Sequence, residues 1–308
     1  MSSFMNKFTK EEFLKYYEVN EDILSESVVD FLDRLFPMKF QKLSYSGYQN
    51  YISLVLSILN KSSYEENFDM NWNYVFKNLK NGKIVQNRED ILKPIWFRND
   101  AYYTIDSVPC TTNIENLDWK NQIAVRQILF SKYLYNVDNV YDFGSGSGIN
   151  IFLINEIYNN INYFASDKSK VSLNILSELK NFLNCDLQVN NIDLTKKINL
   201  EIKSNSAFIT TSSLEQVGTN IDSFIELVLE KKPNVVINIE PILEFCDDSP
   251  FDNLMKLYCE KRKYLKYYYT KLLSLEKQNK IEILFKKKTK ISGLFIENSV
   301  IIWRPISE

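Results

Sequence analysis

The segment Asp142-Phe143-Gly144-Ser145-Gly146-Ser147-Gly148 constrains this chain more than any other. It holds three of the seven glycines in 308 residues, so the cluster answers a local demand and not a general looseness. An apolar stretch ending in Val140-Tyr141 precedes it. Ile149, Phe152, Leu153 and Ile157 follow it at the spacing of one helix face. Strand, glycine turn and helix in that order let a backbone approach a bound nucleotide closely. The spacing narrows the choice. A dinucleotide fingerprint, G-x-G-x-x-G, needs its third glycine at position 149, which is Ile149. Taken alone, the turn also reads as a tight connection with no ligand.

The residues after the turn add to it. Phe164-Ala165-Ser166-Asp167 reads as a second strand ending in an acid. A carboxylate about 20 residues beyond a glycine loop accepts hydrogen bonds from ribose hydroxyls. The competing reading of Asp167 is a cap for the helix around Val171 to Phe182. Further candidate strands are Val140-Asp142, Tyr163-Ser166, Leu187-Asn190, Ala207-Thr210 and Val235-Ile239, with helices between several of them, as a parallel sheet requires. Two apolar runs, Ile281 to Phe285 and Val300 to Trp303, close the chain as a strand pair. Asn191-Ile192-Asp193-Leu194 follows the third strand, Thr210 to Val217 the fourth, and Asn238-Ile239-Glu240-Pro241 the fifth. Glu215 and Glu240 therefore stand at strand ends, where ligands bind in such sheets. Each is equally readable as a structural acid.

The first third reads as helical. Thr9-Lys10-Glu11-Glu12 is a capping-box pattern. Val28, Phe31, Leu32 and Leu35 form one apolar stripe, ending at Pro37. Tyr51, Ile52, Val55, Leu56 and Leu59 form another; Trp72, Val75, Phe76 and Leu79 form a third, closed by Asn81-Gly82. Residues 1–112 are expected to be a helical cap and residues 113–308 the α/β domain, joined by an irregular stretch from Arg98 to Pro109 and a helix from Asn113 to Tyr135. The basic stretch from Leu254 to Leu275 reads as an amphipathic surface helix, with cations for an acidic substrate as the alternative.

Composition excludes several chemistries. The chain has no histidine, which removes histidine bases, Ser-His and Cys-His nucleophiles and histidine-bound metals. A general base must be a carboxylate, Tyr, Lys or Cys. Cys110, Cys185, Cys246 and Cys259 lack C-x-x-C spacing and are expected as reduced thiols. Met1 to Glu12 has no apolar run of a secretory signal, and no stretch nears the roughly 20 apolar residues of a membrane span. A cytoplasmic protein with no membrane partner is expected. The net charge of −2 disfavours nucleic acid as a partner.

The acid before the glycines, the G-x-G-x-G spacing, Asp167, Asp193 and the terminal strand pair together resemble the class I S-adenosylmethionine-dependent methyltransferase family. The resemblance covers roughly residues 120 to 308. It implies a Rossmann-like α/β fold, mostly parallel, of seven strands with a C-terminal antiparallel hairpin, here preceded by the N-terminal cap. It implies S-adenosylmethionine as cofactor. Asp142 would face its amino-acid part, and Gly144, Gly146 and Gly148 would bring backbone amides to its carboxylate end. Asp193 would bond the adenine amino group, with Ile192 packing the ring. Leu214-Glu215-Gln216 is similar to the family's motif IV run beside the methyl group, with glutamine where some members carry histidine. Glu215 and Glu240 are the candidates for orienting or deprotonating an acceptor, and Arg98, Tyr102 and Tyr103 for contacting it. The implied reaction is metal-independent methyl transfer to an O or N nucleophile of a small metabolite or sugar-derived acceptor. An RNA methyltransferase and a non-catalytic cofactor-binding or interaction protein of the same fold are the alternatives. The (N/D)-P-P-(Y/F) sequence of DNA amino-methyltransferases is absent, and Val108-Pro109-Cys110 lies on the wrong side of the glycine turn for a cytosine-C5 enzyme.

Overall fold

The computed structural model describes residues 6–60, 68–82, 88–97 and 101–306. In the N-terminal part, helices α1 (Lys10–Tyr16), α2 (Glu26–Leu35), α3 (Tyr45–Leu59) and α4 (Phe68–Lys80) alternate with short strands β1 (Asn6–Phe8), β2 (Met38–Lys42), β3 (Tyr103–Ile105) and β4 (Val108–Thr112). The Thr9 side chain and Glu12 form the reciprocal capping box at the start of α1. The stripe of α2 is buried at Val28, Phe31, Leu32 and Leu35. The region expected to be a helical cap is therefore a mixed layer, and part of the stretch expected to be irregular forms the antiparallel pair β3–β4. These strands have three to five residues, too few for alternation to register. Long-range pairing holds them instead: Phe40 lies opposite Thr112, and Tyr103 opposite Gly293.

After α5 (Leu117–Tyr133) the chain alternates between strand and helix: β5 (Asn139–Phe143), α6 (Ile149–Ile157), β6 (Asn162–Asp167), α7 (Lys170–Leu183), β7 (Leu187–Asn191), β8 (Ser206–Thr211), α8 (Asp222–Lys231) and β9 (Val235–Glu240). Two helices follow, α9 (Pro250–Arg262) and α10 (Tyr268–Lys277), in place of the single helix expected over Leu254 to Leu275. Strands β10 (Ile281–Lys288), β11 (Ile291–Gly293) and β12 (Ser299–Pro305) end the chain. The large sheet runs β10-β12-β9-β8-β5-β6-β7. Strands β5 to β9 pair in parallel, and β12 runs antiparallel to both of its neighbours. The strand order reverses at β5, which has β6 on one side and β8 on the other. In open α/β sheets that reversal opens a crevice at the strands' C-terminal ends.

Side chains alternate between the two faces of this sheet, as the pleat dictates. Val140, Val300 and Ile302 pack into a core shared with the N-terminal layer and α5 to α7. Tyr141, Phe143, Ile301 and Trp303 pack into a second core with α8 and α10. The connection between β10 and β12 leaves the large sheet and adds β11 to the edge of the N-terminal one, giving the order β1-β2-β4-β3-β11. The hydroxyls of Thr104 and Ser292 meet there at 2.5 Å. One segment of the terminal hairpin thus ties the two layers together.

A buried polar knot locks the hairpin onto the parallel strands. Asn238 Oδ1 accepts from Trp303 Nε1 at 2.8 Å and from the Tyr268 hydroxyl at 2.7 Å, while its Nδ2 donates to Thr210 Oγ1 at 2.8 Å. Replacing Asn238 by leucine strands these partners away from water, so Asn238→Leu is expected to lower unfolding stability by about 2–4 kcal/mol. Urea denaturation checks it; a loss below about 1 kcal/mol would mean the indole and phenol satisfy each other.

Candidate functional site

The crevice at the strand ends is built outward from the glycine turn. Ser166 O accepts from Gly144 N at 2.8 Å and from Ser145 N at 2.9 Å, and Gly146 N donates to Asp167 Oδ2 at 2.9 Å. Gly148 N donates to Ser145 O at 2.8 Å. The three glycine amides are thus bonded inside the protein. What glycine contributes here is room. A Cβ on Gly144 would lie 2.4 Å from Ser213 Cβ, and one on Gly146 would lie 2.8 Å from Trp72 Cη2. Both residues also have positive φ, where a side chain is strained.

Asp167 ends β6 with both carboxylate oxygens in use: Oδ2 holds the turn, and Oδ1 accepts from Ser169 N at 2.9 Å. Ser169 in turn caps α7. Asp167 still lines a cleft of about 120 Å³ with Gly144, Gly146, Ile192 and Asp193. An ionised carboxylate has about four acceptor positions, so two remain for a ligand. Asp193 is more committed. Its Oδ1 accepts from Thr195 N and Oγ1, at 3.0 and 2.6 Å, and Lys196 Nζ lies 3.5 Å from Oδ2. These contacts, the Thr195 hydroxyl first, hold its pKa below the usual aspartate value. Ile192 stands half-buried in the same wall.

Asp142 is 1% exposed. Its Oδ1 accepts from Asn150 Nδ2 at 2.9 Å, and its Oδ2 has no hydrogen-bond partner. Burial raises its pKa to about 6, against the Asn150 bond and the nearby Arg126 charge. Arg126 is 5% exposed, on α5. One of its terminal nitrogens donates to Gln122 Oε1 at 3.1 Å, while Nε and Nη1 have no partner. Burial pulls its pKa down to about 10. A buried carboxylate oxygen and a buried guanidinium, each short of partners, thus stand in one electrostatic neighbourhood without pairing to each other. Arg126 was missed in reading the sequence, although a cation inside the apolar run Ile123 to Phe130 is a legible signal.

A second cavity, of about 380 Å³, opens on the other side of the turn. Arg126, Asn150, Thr211 and Glu215 line its polar part. Aromatic rings wall the rest: Trp72, Trp96, Phe97, Trp119, Tyr258 and Tyr264. Of these only Trp72 also borders the smaller cleft. Gly293 at the end of β11, and Leu294, Ile296 and Asn298 after it, complete the lining.

Glu215 Oε1 accepts from Gln216 Nε2 at 2.8 Å. Glu240 is fully buried and borders neither cavity. It accepts from the backbone amides of Ser213, Leu214 and Glu215, each at 3.2 Å, and so holds the turn that carries Glu215. Tyr102 packs against Tyr51 with ring centroids 5.9 Å apart, and Tyr103 is buried in β3. Neither lines the two cavities. Arg98 lies outside the described residues. Among the described residues, no group of three or more Cys, Asp or Glu could hold a metal ion, and no helix is long and apolar enough to cross a membrane. The four cysteines are free thiols.

No family model matches the sequence, and no curated protein does. Solved structures with a similar fold include a SAM dependent methyltransferase from Aquifex aeolicus, 14% identical, covering 59% of this chain and 89% of that one with a TM-score of 0.43. The [4+2]-cyclase SpnF is 11% identical over 63% of this chain and 84% of its own, with a TM-score of 0.47. The O-methyltransferase NcsB1 from neocarzinostatin biosynthesis, solved with S-adenosylmethionine and 2-hydroxy-5-methyl naphthoic acid, is 11% identical over 60% of this chain and 57% of its own, at 0.40. At these identities the likeness is one of fold. A large, mostly parallel sheet closed by an antiparallel strand is the α/β architecture that the sequence resemblance implied.

Burial raises the Glu240 pKa to about 7, above the ordinary 4.5, in spite of its three amide donors. The folded state therefore keeps this proton where the unfolded chain has lost it. Stability falls as pH rises from about 4.5 to about 7 and levels off above. Glu240→Gln keeps an acceptor oxygen but cannot ionise, so its stability should change less across that window. Chemical denaturation of both proteins at pH 5 and pH 8 measures the difference; parallel losses would mean that Glu240 is ionised throughout.

Proposed function

We propose that this protein is an S-adenosylmethionine-dependent methyltransferase acting on a small-molecule acceptor. The observation that carries the reading is the pair of buried, under-partnered groups beside the glycine turn. Asp142 Oδ2 and Arg126 Nε and Nη1 have no partners within the protein. Leaving such groups buried and unmatched is costly. An α-amino acid end, with an ammonium and a carboxylate, supplies both missing partners. S-adenosylmethionine has such an end joined to a nucleoside. Asp167 supports the nucleoside side through its remaining acceptor positions over the ribose hydroxyls, with Ile192 against the base and Asp193 at the edge of the same cleft.

When bound, the cofactor supplies an electrophilic methyl group on a sulfonium. The chain's own part is to bind, align and exclude water. Asp142 accepts from the ammonium and Arg126 donates to the carboxylate, which fixes the reactive end near the turn. The aromatic-walled cavity holds the acceptor, with residues 1–112 serving as the cap that supplies Trp72, Trp96 and Phe97. Glu215 orients the acceptor's O–H or N–H, or takes its proton. Glu240 acts behind it as a positioning residue, through the amides it holds. Alignment supplies much of the acceleration, because the sulfonium is already activated. The reading is metal-independent, since Glu215 is the single acid from Thr210 to Gln216. Turnover is accordingly expected to survive EDTA.

Calorimetry with S-adenosylhomocysteine and with NAD tests the proposal: the first is expected to bind and the second not. The pH dependence tests the site. Free Asp142 carries a proton below about 6. Pairing with an ammonium favours its ionised form, so its pKa falls in the complex and binding releases a proton. Affinity for S-adenosylhomocysteine should therefore climb as pH rises through 6 and level off above. Asp142→Asn should weaken binding by about 1.5–3 kcal/mol at pH 8 and flatten the climb. Binding of NAD alone, or a variant with the wild-type pH profile, would refute the assignment.

A further inference from the structure

The room left above Gly146 is not empty. The six-membered ring of Trp72 fills it, with Cη2 and Cζ2 lying 2.8 and 2.9 Å from where a Cβ would stand. Trp72 comes from α4, which is fastened over α7 by Asp69 Oδ1 accepting from Ser169 Oγ at 3.0 Å. It borders the smaller cleft beside Asp167 and Ile192, and the larger cavity beside Trp96, whose ring meets it edge-on at 4.9 Å between centroids. The indole therefore stands at the passage between the two cavities, on the spot that glycine keeps open.

A ligand that uses the close approach at Gly146 needs the volume the indole now holds. Two groups cannot share one van der Waals contact surface with the same backbone atom. Trp72 is half-buried and has the larger cavity on one side to move into. We propose that Trp72 is a positioning residue that competes with the cofactor for the seat on Gly146. Cofactor binding drives the indole off the turn toward the larger cavity, where it becomes part of the acceptor-binding wall. The acceptor cavity takes its final shape only with cofactor in place, so binding is ordered, cofactor first. This rests on the cofactor reading above, and the experiment separates the two.

The free protein pays a conformational penalty for holding the seat closed, and removing the indole lifts it. Trp72→Ala is expected to bind S-adenosylhomocysteine about three- to tenfold tighter than wild type. Titrating wild-type protein with S-adenosylhomocysteine should change its tryptophan emission, and Trp72→Phe should lose most of that change while keeping a wild-type melting profile without ligand. The Phe variant guards against a folding defect in the Ala variant. Weaker binding by Trp72→Ala would overturn the inference, because it would make Trp72 a fixed wall that stacks on the ligand. Unchanged affinity, or an emission change retained in Trp72→Phe, would also overturn it while leaving the cofactor reading intact. Failure of S-adenosylhomocysteine to bind any of the three proteins would remove the cofactor reading and this inference together.

Discussion

The hydrogen bonds between the glycine turn and the end of β6 hold the site together. Ser166 O takes two amides from the turn, and Asp167 Oδ2 takes a third. These bonds curl the chain back over the strand ends instead of letting α6 run straight on from β5. They also hold Asp167 at the rim of the smaller cleft, one strand over from the buried Asp142. An isolated glycine turn has no reason to keep that shape. The parallel pairing of β5 with β6, residue by residue from Asn139 opposite Asn162 to Phe143 opposite Ser166, supplies it.

The crevice concentrates charge that the rest of the fold would not tolerate. Asp142, Arg126 and Glu240 are nearly or fully out of water. Desolvation is the largest influence on each of their pKa values, and it opposes the charged form in every case. The three are resolved differently. Glu240 gathers three backbone amides and so has a structural use for its carboxyl oxygens. Asp142 and Arg126 keep unmatched atoms, and Arg126 lines the larger cavity. That difference separates an acid satisfied within the protein from groups that are not.

The larger cavity depends on a connection that leaves its own sheet. Between β10 and β12 the chain departs to pair β11 with β3, and the residues that follow close the larger cavity. The same cavity takes Trp72, Trp96 and Phe97 from the N-terminal layer and Tyr258 and Tyr264 from α9 and the turn after it. Its walls thus come from parts of the chain some 200 residues apart, and its size follows from how the two layers dock.

The sequence by itself determined the α/β class, the succession of core strands along the chain and several residues that line the smaller cleft. Those features are local. A strand buried on both faces, such as Val235 to Glu240, reads as an apolar run, and a glycine turn reads as glycines at fixed spacing. Asp167 follows from counting along the chain, and Ile192 from the family resemblance. Tertiary structure alone decided the rest. The four short N-terminal strands join into one sheet only because distant partners, such as Phe40 opposite Thr112 and Tyr103 opposite Gly293, complete their hydrogen bonds. Glu240 and Glu215 look alike as acids at strand ends, yet three backbone amides turn one inward while the other lines a cavity. Tyr102 and Tyr103 are spent on packing, and Trp72, 74 residues before Gly146 in the chain, reaches the turn only because α4 docks on α7. Burial, pairing and docking are sums over the whole chain, and no local spacing encodes them.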